Sequence, residues 1–279
     1  MKSVKHILFF IIALLSVSCS DTNIFYSEIP VDSSVDAPPV SGQFKKYVLI
    51  EDYTGTWCGN CIRVSYGIEK VLEKTDKAVV IAIHNGNDPY NFIGIQPLKD
   101  LISPNNPLEL PQARLNRTIT WTSPDTNYQQ VKNLTSNNCG LGLAINSTVS
   151  EGMMNLDVKV KFIQNYSNLK LVVYVLENKL IYNQENYSTY YGNVPPRHTT
   201  LNFEHNHVLR ASLTNLLGNP ITQSSFNQTI TTNYSVAIPS TVANANNISF
   251  VAFVVDANNN VINVRSSDAN ENQTFEENP

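Results

Sequence analysis

The apolar run Tyr47-Val48-Leu49-Ile50 gives way, within a dozen residues, to a helical repeat. The run reads as a strand. Beyond it, Val64, Ile68, Val71 and Leu72 fall on one face, with Glu69, Lys70, Glu73 and Lys74 around the rest, the pattern of an amphipathic helix. Ala78-Val79-Val80-Ile81-Ala82-Ile83 is apolar without alternation, as in a strand covered on both faces, and it ends in His84-Asn85-Gly86. An excursion rich in Asn, Pro and Gly follows, with a short helix predicted around Gln96 to Ile102. Leu110 to Arg117 reads as a strand entered through Pro111, and Thr118-Ile119-Thr120-Trp121 extends it or pairs with it. Ser123-Pro124-Asp125 has an N-cap residue followed by proline, which predicts a helix running to about Leu134.

From Gly140 the pattern changes. Leu156, Val158, Val160 and Phe162 alternate with polar residues, as in a half-buried strand. Leu169 to Leu176 and Phe250 to Val255 are apolar on both faces and predict central strands. Asp256-Ala257-Asn258-Asn259-Asn260 turns the second of these into Val261-Ile262-Asn263-Val264. Short strands separated by polar turns point to a β-sandwich. The expected organisation is therefore an α/β domain over residues 44–138 and an all-β, sandwich-like domain over 139–267, with an acidic, disordered tail at 268–279.

The N-terminus has the pattern of a targeting segment. Lys2 and Lys5 precede an apolar stretch, Ile7 to Leu15, that is too short to span a bilayer as a mature helix. Leu15-Ser16-Val17-Ser18-Cys19 resembles a bacterial lipoprotein signal, although its Leu stands four residues before the cysteine rather than three. Residues 1–18 are expected to be a signal peptide, Cys19 the lipidated residue and 19–43 a tether rich in Asp, Ser and Pro. Ordinary cleavage nearby, with Cys19 left as a free thiol, is the alternative. Apolar residues make up 42% of the 279-residue chain and charged residues only 15%, so the surface must be largely uncharged and polar. A net charge of −4 argues against a nucleic-acid partner.

Candidate chemistry centres on Glu51-Asp52-Tyr53-Thr54-Gly55-Thr56-Trp57-Cys58-Gly59-Asn60-Cys61. Two cysteines three apart, between a strand and a helix, have the layout of a redox dithiol. The first is expected at the helix N-terminus and partly exposed, where free N–H groups favour the thiolate; the second, one turn on, is expected to be more buried. A static disulfide and half of a zinc site remain open from the spacing alone. Zinc needs two further ligands, and there is no second CxxC, so no metal is expected. His84, at the end of an apolar strand, is either a proton shuttle or a capped strand-end histidine. His205 and His207 would share a strand face and could bind metal, with structural hydrogen bonding the blander reading. Cys139 is left over, either a buried inert thiol or a second resolving cysteine.

Trp57 directly before the first cysteine, and Asp52 six residues ahead of it, stand at the offsets found in thioredoxin-like proteins. The first unit resembles the thioredoxin fold. The whole chain resembles the family of outer-membrane-protein-28-related lipoproteins of Bacteroidota over roughly residues 44 to 265. The residues that carry this are the CxxC stretch, Ile83-His84, the Pro111 to Asn116-Arg117 strand, Gln184 and His205-Asn206-His207-Val208-Leu209-Arg210. The resemblance implies a thioredoxin-like domain with Cys58 as nucleophile and Cys61 as resolving thiol. It makes Asp52 the buried acid beneath them and Pro111 a cis-proline facing them, with Trp57 and His84 as accessory residues. It further implies an envelope location, lipid-anchored at the outer membrane and facing either the periplasm or the surface, and no cofactor beyond the Cys58–Cys61 pair itself. Thiol–disulfide exchange with protein thiols and disulfides of the envelope is the leading expectation. Its rival is a cell-surface binding or assembly module in which the CxxC is a structural disulfide.

Overall fold

In the computed structural model, residues 37–194 and 198–279 are described. The first part of the chain forms β1 (Phe44–Lys46), β2 (Val48–Thr54), α1 (Ile62–Leu72), β3 (Ala78–His84), α2 (Gln96–Ile102), the hairpin β4 (Gln112–Leu115) and β5 (Ile119–Thr120), and α3 (Tyr128–Lys132). The rest forms β6 (Ser136–Cys139), β7 (Leu141–Ser150), β8 (Met153–Phe162), β9 (Lys170–Glu177), β10 (Leu180–Glu185), β11 (Thr199–His205), β12 (Val208–Ser212), β13 (Asn219–Pro220), β14 (Thr229–Ala237), β15 (Ile248–Val255) and β16 (Val261–Asp268).

Strand makes up 42% of the described residues and helix 12%, and the fold is all-β in class. This corrects the expected α/β thioredoxin-like domain followed by a separate sandwich. The overturning feature is a nine-stranded sheet in the order β16-β15-β9-β12-β3-β2-β4-β5, with β13 added beside β9. Strands from both sides of residue 138 lie in it, and no boundary between compact units falls near that residue. The join is made by β12. Its Val208 pairs in parallel with Ala82 of β3, the Ala82 N–H donates to the His207 carbonyl at 2.8 Å, and the other edge of β12 runs antiparallel to β9. The six-residue segment quoted from the family resemblance, His205 to Arg210, is thus the stitch between the two halves.

The apolar runs without alternation are the strands covered on both faces. On one face of the large sheet, Leu49, Tyr53, Ile81, Ile83, Val172, Tyr174, Leu176, Phe253 and Val255 pack with Ile95 and Leu98 from the 85–108 excursion. On the other face, Val173, Val175, Phe250, Ala252 and Val254 pack against the three-stranded sheet β14-β8-β7, which supplies Leu143, Ile145, Leu156, Val158 and Val160. Farther along that same face, Val48, Ile50, Val80 and Leu115 are covered by Val64, Ile68 and Val71 of α1 and Val131 of α3. Leu72, expected on the buried face of α1, is the last residue of that helix and is 42% exposed. The helix expected from Ser123 begins instead at Tyr128, where the Asn127 side chain accepts from the Gln130 N–H; the Ser123-Pro124 stretch is a turn.

Two ion pairs are buried in the large sheet. Arg117 and Glu51 are fully buried, with Nε and Nη2 of the arginine 3.2 and 3.0 Å from Glu51 Oε1. Arg117 Nη2 also donates to the Tyr174 hydroxyl at 2.9 Å, and its guanidinium lies 4.7 Å from the Phe253 ring centroid. Arg210 Nε lies 3.2 Å from Glu177 Oε2, and Glu177 Oε1 accepts from the N–H groups of Ala243 and Asn244.

Residues 268–279, expected to be a disordered tail, are bonded along β1 and β7. Asn278 N–H donates to the Gln43 carbonyl at 2.7 Å, Lys161 pairs with Glu277, and Ser147 N–H donates to the Glu271 carbonyl. Cys19, the 1–18 signal segment and the tether up to residue 36 lie outside the described residues. Among the described residues, no helix is long and apolar enough to cross a membrane.

A fragment spanning residues 139–267 is expected not to fold cooperatively on its own. It would lose the β3 partner of β12, and Val172, Tyr174, Leu176 and Leu209 would lose Leu49, Ile81 and Ile83. A sharp denaturant transition with a dispersed amide spectrum from this fragment would show that its core is self-sufficient.

Candidate functional site

β2 and β3 are parallel neighbours, and α1 crosses from the end of one to the start of the other. Between β2 and α1 runs the loop Gly55 to Cys61, closed by a Cys58–Cys61 disulfide with Cα atoms 5.4 Å apart. Tight turns use up the intervening residues: Cys58 N–H donates to the Gly55 carbonyl and Cys61 N–H to the Cys58 carbonyl. Consequently the helix begins later than the spacing predicts. Cys61, not Cys58, is the N-cap, and Cys58 stands one turn ahead of the helix. Neither sulfur residue is open to solvent. Cys58 is 6% exposed, where partial exposure was expected, and Cys61 is fully buried.

The cover is a strap formed by the end of β10 and the connection that follows it. Gln184 Nε2 donates to the carbonyls of Gly55 (3.3 Å) and Cys58 (3.1 Å). Glu185 N–H donates to the Thr56 carbonyl at 2.8 Å, and Tyr187 N–H to the Gly59 carbonyl at 2.9 Å. Gly59 has no alternative here: a Cβ would stand 2.5 Å from the Tyr187 ring. Farther on, the Tyr190 ring stacks on Tyr66 of α1 at 4.0 Å, and its hydroxyl donates to Asp125, which also pairs with Arg63. Trp57 is about half exposed and is held by Nε1–H donating to the Asn85 carbonyl.

Asp52 and Glu51 are adjacent and both buried, but they face opposite sides of the sheet. Glu51 has Arg117, whereas Asp52 Oδ1 has no hydrogen-bond partner. Burial pushes the Asp52 carboxyl up to about 8. His84 ends β3 with Nδ1 3.1 Å from both carboxylate oxygens of Asp88. Burial alone would raise Asp88. Its bond with His84 and the N–H groups of Thr56 and Tyr90 outweigh that and hold it below the ordinary carboxylate range. The Leu110–Pro111 peptide is cis, and the register of β4 on β2 places Pro111 just past the Gln112–Tyr53 pair, at the strand end from which the CxxC loop departs. Cys139 is reduced and buried on β6, with its thiol pushed up by burial and directed at the Ile262 carbonyl.

A cleft of about 130 Å³ runs beneath α1, lined by Asp52, Ser65, Glu69, His84, His205 and His207 among others. His205 ends β11, and its ring lies 5.3 Å from that of His84. His205 and His207, placed on one strand face by their spacing, are instead separated by the turn between β11 and β12, with His207 at φ 59°. Asp88, Gln184 and Tyr187 were not legible as a site. Only the four-residue step from His84 to Asp88 offered a signal, and it sits in a loop, where no periodicity applies.

A family model described as outer membrane protein Omp28 matches residues 106–273, more than half of the chain. Two solved structures are similar. HBP35 of Porphyromonas gingivalis aligns with a TM-score of 0.63 at 17% identity, over 83% of this chain and 78% of its own. Protein AGR_C_4864 from Agrobacterium tumefaciens aligns with a TM-score of 0.47 at 13% identity, over 81% of this chain and 96% of its own. At such identity the first likeness is one of fold alone. No curated protein matches the sequence.

Proposed function

The chain belongs to the Omp28 family of outer membrane proteins, and on that premise we propose that it is a binding or assembly module of the cell envelope whose Cys58–Cys61 disulfide is structural. The observation that carries this is the seating of the strap. Four carbonyls of the CxxC loop, those of Gly55, Thr56, Cys58 and Gly59, are taken by donors from Gln184, Glu185 and Tyr187. The disulfide holds the loop in the shape that presents those carbonyls together. In turn the strap and the β10–β11 hairpin it belongs to carry exposed apolar side chains, Ile181, Tyr182, Tyr187, Val194 and Leu201, and Trp57 of the loop is itself half exposed. Exposed apolar residues in such density on one hairpin suit contact with another envelope protein. A lipid at Cys19 would keep the module at the membrane. Labelled fatty acid is expected to enter the wild type and not Cys19→Ala; equal labelling of the two would remove the anchor.

Thiol–disulfide exchange is the second reading, and Asp52 is the observation in its favour. A buried carboxyl displaced to about 8 can take and release protons near neutral pH. In that reading the reduced Cys58 thiolate attacks a disulfide of a partner protein, forming a mixed disulfide and releasing one partner thiolate. Cys61 then attacks Cys58, which closes the pair and leaves the partner reduced. An envelope dithiol must return the pair to its reduced form.

One pair of variants separates the readings. Closing so short a loop is worth on the order of 2 kcal/mol in the chain-entropy account. Under the structural reading, the double variant Cys58→Ser, Cys61→Ser is expected to lose about that much in urea unfolding, and Cys61→Ser to trap no partner. Mixed disulfides captured on Cys58 by Cys61→Ser, with stability unchanged in the double variant, would favour exchange.

A further inference from the structure

His84 and His205 come from different strands and meet at the cleft under α1. Their ring centroids are 5.3 Å apart with the planes at 73°, and the Tyr90 ring packs edge-on against both at 5.5 Å. Each imidazole is oriented by one of its two nitrogens. Nδ1 of His84 is committed to Asp88, which is itself fixed by the N–H groups of Thr56 (2.6 Å) and Tyr90 (2.7 Å). His205 is bonded to the backbone of Tyr182. That leaves Nε2 of each ring. His205 is 5% exposed, and its Nε2 is buried without a hydrogen-bond partner. With Nδ1 taken by the Tyr182 backbone, Nε2 is the acceptor nitrogen of the ring. Leaving such a buried acceptor unsatisfied is costly, so a ligand that fills it is favoured.

The walls of the cleft add to the case. Asp52 Oδ1 is a second buried acceptor without a partner. Glu69 and Glu204 also line the cleft, and no Lys or Arg does. The two glutamates favour a cation there and disfavour an anion. Metal-ligating histidines hold their second ring N–H on a carboxylate or a backbone carbonyl, which fixes the tautomer and turns the other nitrogen to the metal. His84 on Asp88 and His205 on Tyr182 have that arrangement.

We propose that His84 and His205 form a two-imidazole site for a divalent transition cation of the zinc or copper type. Imidazole suits these ions, and they accept water at positions the protein does not fill. Among the described residues, no group of three or more His, Cys, Asp or Glu is placed to hold a metal. The protein thus supplies two ligands and water the others. Asp88 is a positioning residue. The site is independent of the state of the disulfide and does not rest on the function proposed above.

The test uses the whole chain, untagged and with the Cys58–Cys61 disulfide intact, so that no dithiol competes for metal. Cu²⁺ is titrated and followed by calorimetry and by electron paramagnetic resonance. The expected result is one saturable equivalent whose nitrogen hyperfine pattern reports two imidazoles. His84→Ala and His205→Ala should each abolish that pattern, His207→Ala should leave it intact, and Asp88→Asn should weaken binding about 10–100-fold. If His205→Ala does not fold, as judged by circular dichroism, His205→Gln serves in its place. Binding of equal strength in wild type, His84→Ala and the His205 variant would overturn the proposal. So would the absence of a two-nitrogen signal, which would leave the cleft to a water that donates to the same lone pairs.

Discussion

Arg117→Met is expected to lower the unfolding free energy by about 3–5 kcal/mol, because it leaves Glu51 with a buried charge and no counterion. Both side chains are fully buried at the centre of the large sheet, and the guanidinium also serves the Tyr174 hydroxyl and stacks over Phe253. The loss therefore combines desolvation of Glu51, one orphaned hydroxyl and reduced packing. Adding Glu51→Gln to Arg117→Met should recover a large part of it, since the cost lies in the unpaired charge more than in the missing attraction. Urea unfolding of the two single variants and the double variant measures the cycle. A loss below about 1 kcal/mol for Arg117→Met, the size of an exposed pair, would mean that water reaches this pair in solution.

Asp52→Asn is expected to change how stability depends on pH. The Asp52 carboxyl is raised to about 8 in the fold by burial, while in the unfolded chain it titrates near 4. Below pH 4 it is protonated in both states, and it contributes no difference. Between about pH 4 and pH 8 the folded chain holds a proton that the unfolded chain has released, so stability falls as pH rises through that window. Above pH 8 the penalty is complete and constant. Each unit of upward displacement corresponds to about 1.4 kcal/mol, which makes the full effect a few kcal/mol. Asparagine brings a new N–H₂ group beside the cleft, and that cost does not vary with pH. The informative quantity is therefore the slope: the stability of Asp52→Asn relative to wild type should climb from pH 4 to pH 8 and then level off. A difference that stays flat across that range would show that Asp52 is solvated or paired in solution.

Local features of this chain were determined by sequence alone. The apolar run Val48–Ile50 reads as a strand, and Ala78–Ile83, Leu169–Leu176 and Phe250–Val255 read as strands apolar on both faces; all four are strands with both faces covered. Alternation from Leu156 to Phe162 predicts one buried face, and Leu156, Val158, Val160 and Phe162 are its buried members. Two cysteines three apart between strand and helix stand close enough to bond, and they do. Periodicity reports whether a residue is covered. It carries no information on what covers it, and this is why the expected boundary near residue 138 dissolved into a single sheet. One residue pair across β12 and β3, Val208 with Ala82, joins segments 126 positions apart, and no local pattern encodes such a pairing.

The surroundings of the CxxC were decided in the same way. Spacing placed Cys58 at an exposed helix N-terminus. The tertiary structure laid the Gln184–Tyr187 strap over it, through hydrogen bonds between backbone and side-chain groups that any sequence there carries in some form. His84 was likewise legible as a strand-end histidine and His205 as one of a pair with His207 on a strand face, with nothing to connect the two. Their meeting depends on β3 and β11 ending at the same place, and on Asp88 and the Tyr182 backbone turning the two rings toward one cleft. Side-chain chemistry is local, and sequence displays it. Convergence of distant side chains is a property of strand order and register, which are set by the total burial and hydrogen bonding of the whole sheet, and only the folded structure contains that sum.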